Sequence, residues 1–132
     1  MSDVDTLDDL LPEIDRDFLR DKHPNHTVKR VGEETHVVIP DFDFPAAYTP
    51  RKANLLIILP AGYPNANLDM FWTQPVVMLA NGSWPTRADN HATYDGVSWQ
   101  RWSRHFQTPW RQGVDNLRTF IATIRRELAR GV

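Results

Sequence analysis

Ala53-Asn54-Leu55-Leu56-Ile57-Ile58-Leu59-Pro60-Ala61-Gly62-Tyr63-Pro64 is the stretch on which the fold turns. Its continuous apolar run predicts a strand from Ala53 to Leu59, buried on both faces. Tyr63-Pro64 stands at its exit, and Pro75 opens a further strand-like run, Pro75 to Leu79. Proline fixes its own φ, so Tyr63-Pro64 predicts an extended turn. There the tyrosine ring packs the crossover and its hydroxyl holds backbone. Upstream, Thr27–Val31 and Thr35–Ile39 flank Gly32-Glu33-Glu34, the pattern of a hairpin. Downstream, Asn81-Gly82 marks a turn.

Helices bracket these strands. Leu7, Leu10, Leu11, Ile14, Phe18 and Leu19 recur at spacings of three and four, which predicts one amphipathic helix capped by Thr6. Pro24 stops it. Gly113-Val114-Asp115 opens a second helix, whose face is Val114, Leu117, Phe120, Ile121, Ile124 and Leu128. Arg125, Arg126 and Arg130 suit its C-terminal dipole, and Gly131 ends it. Between them, residues 83–109 show no clean period and hold tryptophans in a long excursion, which predicts a functional loop. The fold class is therefore α+β: N-terminal helix, four-stranded antiparallel meander, long loop, C-terminal helix.

The chain's 132 residues suit one domain spanning 1–132, and 41% hydrophobic with 24% charged residues excludes wholesale disorder. A formal net charge of −2 speaks against nucleic acid as the partner. No run approaches the ~20 apolar residues of a membrane helix. The N-terminus is acidic and has no apolar core of a signal peptide, so the expected compartment is the cytoplasm. Charge is uneven: residues 1–21 carry eight acids against Arg16 and Arg20, a local −6. Residues 101–130 carry seven arginines against Asp115 and Glu127, a local +5. Two solvated helix faces explain this; so does an arginine surface for an acidic partner, masked by the acidic helix or left free of it.

Cysteine is absent, which removes disulfides, thiolate metal sites and any thiol nucleophile. Phosphate loops and dinucleotide fingerprints are missing too, so no cofactor is expected. His91, His105, Asp89 and Asp95 match no known metal-ligand spacing, and no metal site is expected either. Trp84, Trp99, Trp102 and Trp110 form either a local core beneath the loop or, with Arg101 and Arg104, a docking surface of the residue types enriched at hot spots.

The order of elements, with Tyr63-Pro64 in the crossover, resembles the ubiquitin-conjugating-enzyme superfamily and its non-catalytic RWD relatives. His91 is similar to the histidine of the family's His-Pro-Asn motif, with Ala92 and Thr93 replacing Pro-Asn. Gly96 matches the glycine that precedes the catalytic cysteine, and Trp99 stands at the cysteine's position. Leu59–Pro64, Asp69–Trp72, Trp99–His105 and Gly113–Leu117 resemble the prokaryotic ubiquitin-conjugating-like family E over roughly residues 55–128.

The resemblance implies a component of a bacterial ubiquitin-like modification system. Such genes lie beside a ThiF-type adenylating enzyme, a JAB-type metalloprotease and a ubiquitin-like protein, in operons of the kind that suggests antiphage defence. Transthioesterification needs a thiolate, so a cysteine-free chain implies a non-catalytic adaptor that binds the ubiquitin-like protein or its activating enzyme. The expected contact residues are Trp99, Arg101, Trp102, Arg104, His105, Trp110 and Arg111, with Arg118 adjoining. The alternative is an enzyme built on His105 or His91 as base, Ser103 or Ser98 as nucleophile, and Asp95 or Asp89 as orienter.

Overall fold

The computed structural model describes residues 7–104 and 109–132. After a 3-10 turn at Asp8–Leu10 come α1 (Glu13–Lys22), β1 (Thr27–Val31), β2 (Glu34–Asp43), β3 (Tyr48–Thr49) and β4 (Lys52–Leu59). They are followed by β5 (Phe71–Gln74), β6 (Met78–Leu79), β7 (Asn90–Tyr94), β8 (Val97–Trp102) and α2 (Leu117–Leu128). The hairpin and the buried strand stand where the sequence predicts them. Val28 of β1 pairs with Val37 of β2, which continues onto Ile57 of β4.

The sheet is larger than the four-stranded meander expected. Six strands pair antiparallel in the order β1-β2-β4-β5-β8-β7, while β3 and β6 form a separate ribbon. The strand expected at Pro75–Leu79 is divided. Proline donates no ladder hydrogen bond, so β5 ends at Gln74, and Met78–Leu79 turns away to pair with Tyr48–Thr49. The expected long loop is corrected as well, because residues 90–102 form a hairpin that adds two strands. Asp95 and Gly96 hold φ values of 53° and 79° at its tip, a two-residue turn whose twist matches the flanking strands.

β8 is fixed to β5 by a polar network that an interior strand tolerates only when complete. Gln100 is buried; its side-chain oxygen accepts from Thr73 Oγ1 at 2.9 Å and from the Val77 N–H at 2.7 Å. Its amide nitrogen donates to the carbonyls of Val77 and Ala88, both at 2.9 Å. The indole N–H of Trp102 donates to Thr73 Oγ1 at 2.9 Å.

The predicted first helix is broken at its start. Proline disfavours helix in the preceding residue, and Leu11 is extended at φ −98° and ψ 148° ahead of Pro12. Leu7 and Ile14 are consequently exposed instead of facing the core, and Thr6 lies outside the described residues. The second helix begins at Leu117, not at Gly113. Asn116 caps it, accepting from the Thr119 N–H while Thr119 Oγ1 accepts from the Asn116 N–H. Val114 therefore lies outside the helix and is exposed.

α1 and α2 cover one face of the sheet. Leu19, Phe120, Ile121, Ile124 and Leu128 join Val37, Leu55, Ile57, Phe71 and Trp102 in the main core, each such side chain stabilising by about 1.5–3 kcal/mol. Asp15 ties the two helices to the crossover. One carboxylate oxygen accepts from the Leu117 N–H at 3.0 Å, at the positive end of α2, and the other from the Tyr63 hydroxyl at 2.6 Å. The hydroxyl thus holds a side chain, where backbone was expected.

Candidate functional site

Trp99 lies on β8, a strand whose side chains alternate between the two sheet faces. Gln100 and Trp102 point to the helical side. Trp99 falls on the opposite face, packed with Leu56 and Trp72 in a second, smaller core. Val38, Ile58, Met70 and Tyr94 surround it. Although no helix among the described residues covers this face, Trp99 is only 7% exposed and Leu56 1%.

The sheet's own curl closes it. The β7–β8 tip bends back over the face toward β1 and β2, where Asp95 pairs with Lys29 and the Tyr94 ring meets His36 edge-on at 5.4 Å. Tyr94 also meets Trp72 edge-on at 5.8 Å. The Lys29 ammonium holds the Asp95 carboxyl below the usual carboxylate range. His36 is buried, and burial lowers its pKa despite Glu34 nearby. Trp99, which the sequence resemblance likens to the family cysteine, is an indole inside a packed layer.

Trp102 and Arg104, expected on a docking surface, are interior. Trp102 has no exposed surface and stacks on Phe71 at 5.1 Å. The Arg104 guanidinium lies over the Trp102 ring at 5.1 Å, and its Nε donates to the Thr86 carbonyl at 2.9 Å. Another of its nitrogens donates to the Val132 carbonyl, which also accepts from the Tyr48 hydroxyl. Two carbonyls, an aromatic face and the Glu127 carboxylate at 3.6 Å account for its position, and no sequence signal announces such a role.

The other expected residues are dispersed. Arg101 is half-buried on the Trp99 face, opposite Trp72. Trp110 donates its indole N–H to the Pro64 carbonyl at 2.9 Å and packs on Tyr63. Arg111 is exposed and pairs with Asp115 at 2.9 Å, which lowers the Asp115 pKa. Trp110, Arg111, Asn67 and Thr123 border a cleft of about 280 Å³ between the crossover and α2.

His91 sits on exposed β7 against Trp84, whereas Ser103 reaches the Arg87 carbonyl. Ser98 and Asp89 are exposed, Asp95 is committed to Lys29, and His105 lies outside the described residues. Among the described residues, the candidate acids, bases and hydroxyls are not joined in a hydrogen-bonded chain. Nor do three or more His, Asp or Glu side chains gather there in a group able to hold a metal ion.

A family model described as prokaryotic E2 family E matches residues 11–131. The chain belongs to this family. Membership of prokaryotic E2 family E points to a ubiquitin-like conjugation system in bacteria. No curated protein and no solved structure matches significantly. As for membranes, no helix among the described residues is long and apolar enough to cross one.

Proposed function

We propose that this chain is a non-catalytic, cytoplasmic adaptor of a bacterial ubiquitin-like conjugation system. It binds the ubiquitin-like protein or its ThiF-type adenylating enzyme, in a system that also holds a JAB-type metalloprotease. Trp99 is the observation that carries this reading. An indole forms no thioester, it is buried in the second core, and the chain has no cysteine to take its place. What remains of the expected contact set at the surface, half-buried Trp110 with exposed Arg111 beside the 280 Å³ cleft, is assigned to the partner. An aromatic–arginine pair beside a concavity is the composition of a binding hot spot.

The test incubates the protein with the ThiF-type enzyme of its own operon, ATP and the ubiquitin-like protein. Intact mass and size exclusion are the readouts. The expected result is no covalent adduct, with co-elution that R111E weakens about tenfold. A hydroxylamine-sensitive adduct on Ser98 or Ser103 would overturn the adaptor reading in favour of the ester-forming enzyme.

A further inference from the structure

A second cleft, of about 350 Å³, runs between α1 and α2 on the helical side of the sheet, the face opposite Trp99. Its floor is apolar: Phe18 from α1, Ile121 and Ala122 from α2. Its rim is cationic, with Lys22 at the end of α1 and Arg118 and Arg125 a turn above and below on α2; His23 also borders it. Among the described residues, no carboxylate lines it.

Asp8, Asp15 and Asp21 are committed elsewhere. Asp15 is turned inward to Leu117 and Tyr63, and Asp8 binds His26 at 2.9 Å and Arg20 at 2.9 Å. Asp21 meets Lys22 outside the cleft at 3.6 Å, with both side chains well exposed. Arg125 lies across the Phe42 ring, 4.5 Å from its centre, which holds the guanidinium at the rim. Beyond it, Asp43 is occupied by Lys52. The field in the cleft is accordingly positive. The His23 pKa is lowered first by burial and then by Arg125.

We infer that this cleft binds an acidic peptide segment of a partner protein, seating one aliphatic or aromatic side chain on the Phe18–Ile121–Ala122 floor between carboxylates held by Lys22, Arg118 and Arg125. The apolar floor favours an amphipathic peptide over a bare anion, since inorganic phosphate would gain nothing from it. Single-stranded nucleic acid needs exposed rings for stacking, and Phe18 already meets His23 edge-on at 5.6 Å. Opposite charge across the contact sets orientation and speeds encounter. The inference goes beyond the adaptor reading: this cleft adjoins the one beside Trp110 and Arg111 across α2, with Ala122 bordering both, and it has arginines of its own, Arg118 and Arg125.

The experiment uses fluorescence anisotropy with a labelled Glu-Asp-Glu-Leu-Glu-Asp-Glu peptide on the full chain. The leucine-to-alanine peptide, oligo-dT and inorganic phosphate are competitors. The wild type is expected to bind the leucine peptide, and the alanine peptide to bind about tenfold more weakly. R118E/R125E should abolish binding, and A122W should block it by filling the floor. Circular dichroism and thermal melts verify folding, with R118Q/R125Q as a milder pair that must weaken binding by at least about tenfold. No binding by the wild type, indifference to R118Q/R125Q, or equal competition by oligo-dT or phosphate would each overturn the inference. The co-elution test reads Arg111, which does not line this cleft, whereas the peptide test reads Arg118 and Arg125, so the two readings fail separately.

Discussion

Trp102 has lost all solvent contact among Phe44, Tyr48 and Phe71, and its indole N–H is hydrogen-bonded to Thr73. Removing such a side chain leaves a cavity that surrounding atoms fill only partly, so W102A should cost about 3–5 kcal/mol in urea denaturation. R104A removes a buried guanidinium with its hydrogen bonds to the Thr86 and Val132 carbonyls and its ion pair with Glu127 at 3.6 Å, and should cost roughly 1–3 kcal/mol. A loss below ~0.5 kcal/mol in either variant, typical of surface substitutions, would contradict their placement. Affinity loss in these variants would report unfolding; Arg111 and Trp110 are the positions that probe docking. The sequence makes the Trp–Arg composition legible but not its direction. Trp99 and Trp102 are three apart, which puts them on opposite faces of a strand and on neighbouring positions of a helix or irregular loop. Only the strand assignment separates them.

At the scale of elements, Asp15 links α1, the crossover and α2 through two accepted hydrogen bonds while buried. Burial raises its pKa, outweighing the two hydrogen bonds, from the Tyr63 hydroxyl and the Leu117 N–H, that lower it. A carboxyl whose folded pKa is raised gives stability that is full below its unfolded value near 3.8 and is lost as pH rises through the folded value. D15N removes this titration. The stability of the wild type relative to D15N is therefore expected to be greatest near pH 3 and to decline toward pH 7, measured by urea unfolding across that range. A difference that stays flat or grows with pH would show the carboxyl held ionised. The proline breaks also act at this scale. Pro12 lay within an apolar pattern that reads as continuous, and Pro75 stood at the head of a run that reads as one strand, of which only Met78–Leu79 pairs. A missing N–H and a steric clash with the preceding residue override that pattern. The cap Asn116–Thr119 is written plainly in the sequence, whereas Gly113 drew the helix start four residues too early.

The whole molecule is a sheet with two cores, one under helices and one closed by the sheet's curl. The hairpin at residues 90–102 escaped sequence reading because β8 is buried on both faces. Trp99 serves one core and Gln100 with Trp102 the other, so no alternation remains to detect. The family motifs of residues 59–64 and 99–105 were legible regardless, because they depend on residue identity and not on period. The curl, a contact between the first strand and the seventh–eighth tip, has no local signature. Its stability should nevertheless respond to pH through His36, which Glu34, Asp95 and Lys29 face and which burial holds toward the neutral form. A histidine with a lowered folded pKa contributes stability present above its unfolded value near 6.5 and lost as pH falls through the folded value. Acidification from pH 7.5 to 5 should therefore loosen the second core, read as a shift in the fluorescence of Trp72 and Trp99. H36Q cannot gain that proton, so its unfolding free energy should fall less over the same range. His23, lowered on the helical side, leaves a residual slope in both proteins. Identical slopes in wild type and H36Q would mean that the curl does not exclude the charged imidazole, and the closed second core would then be wrong.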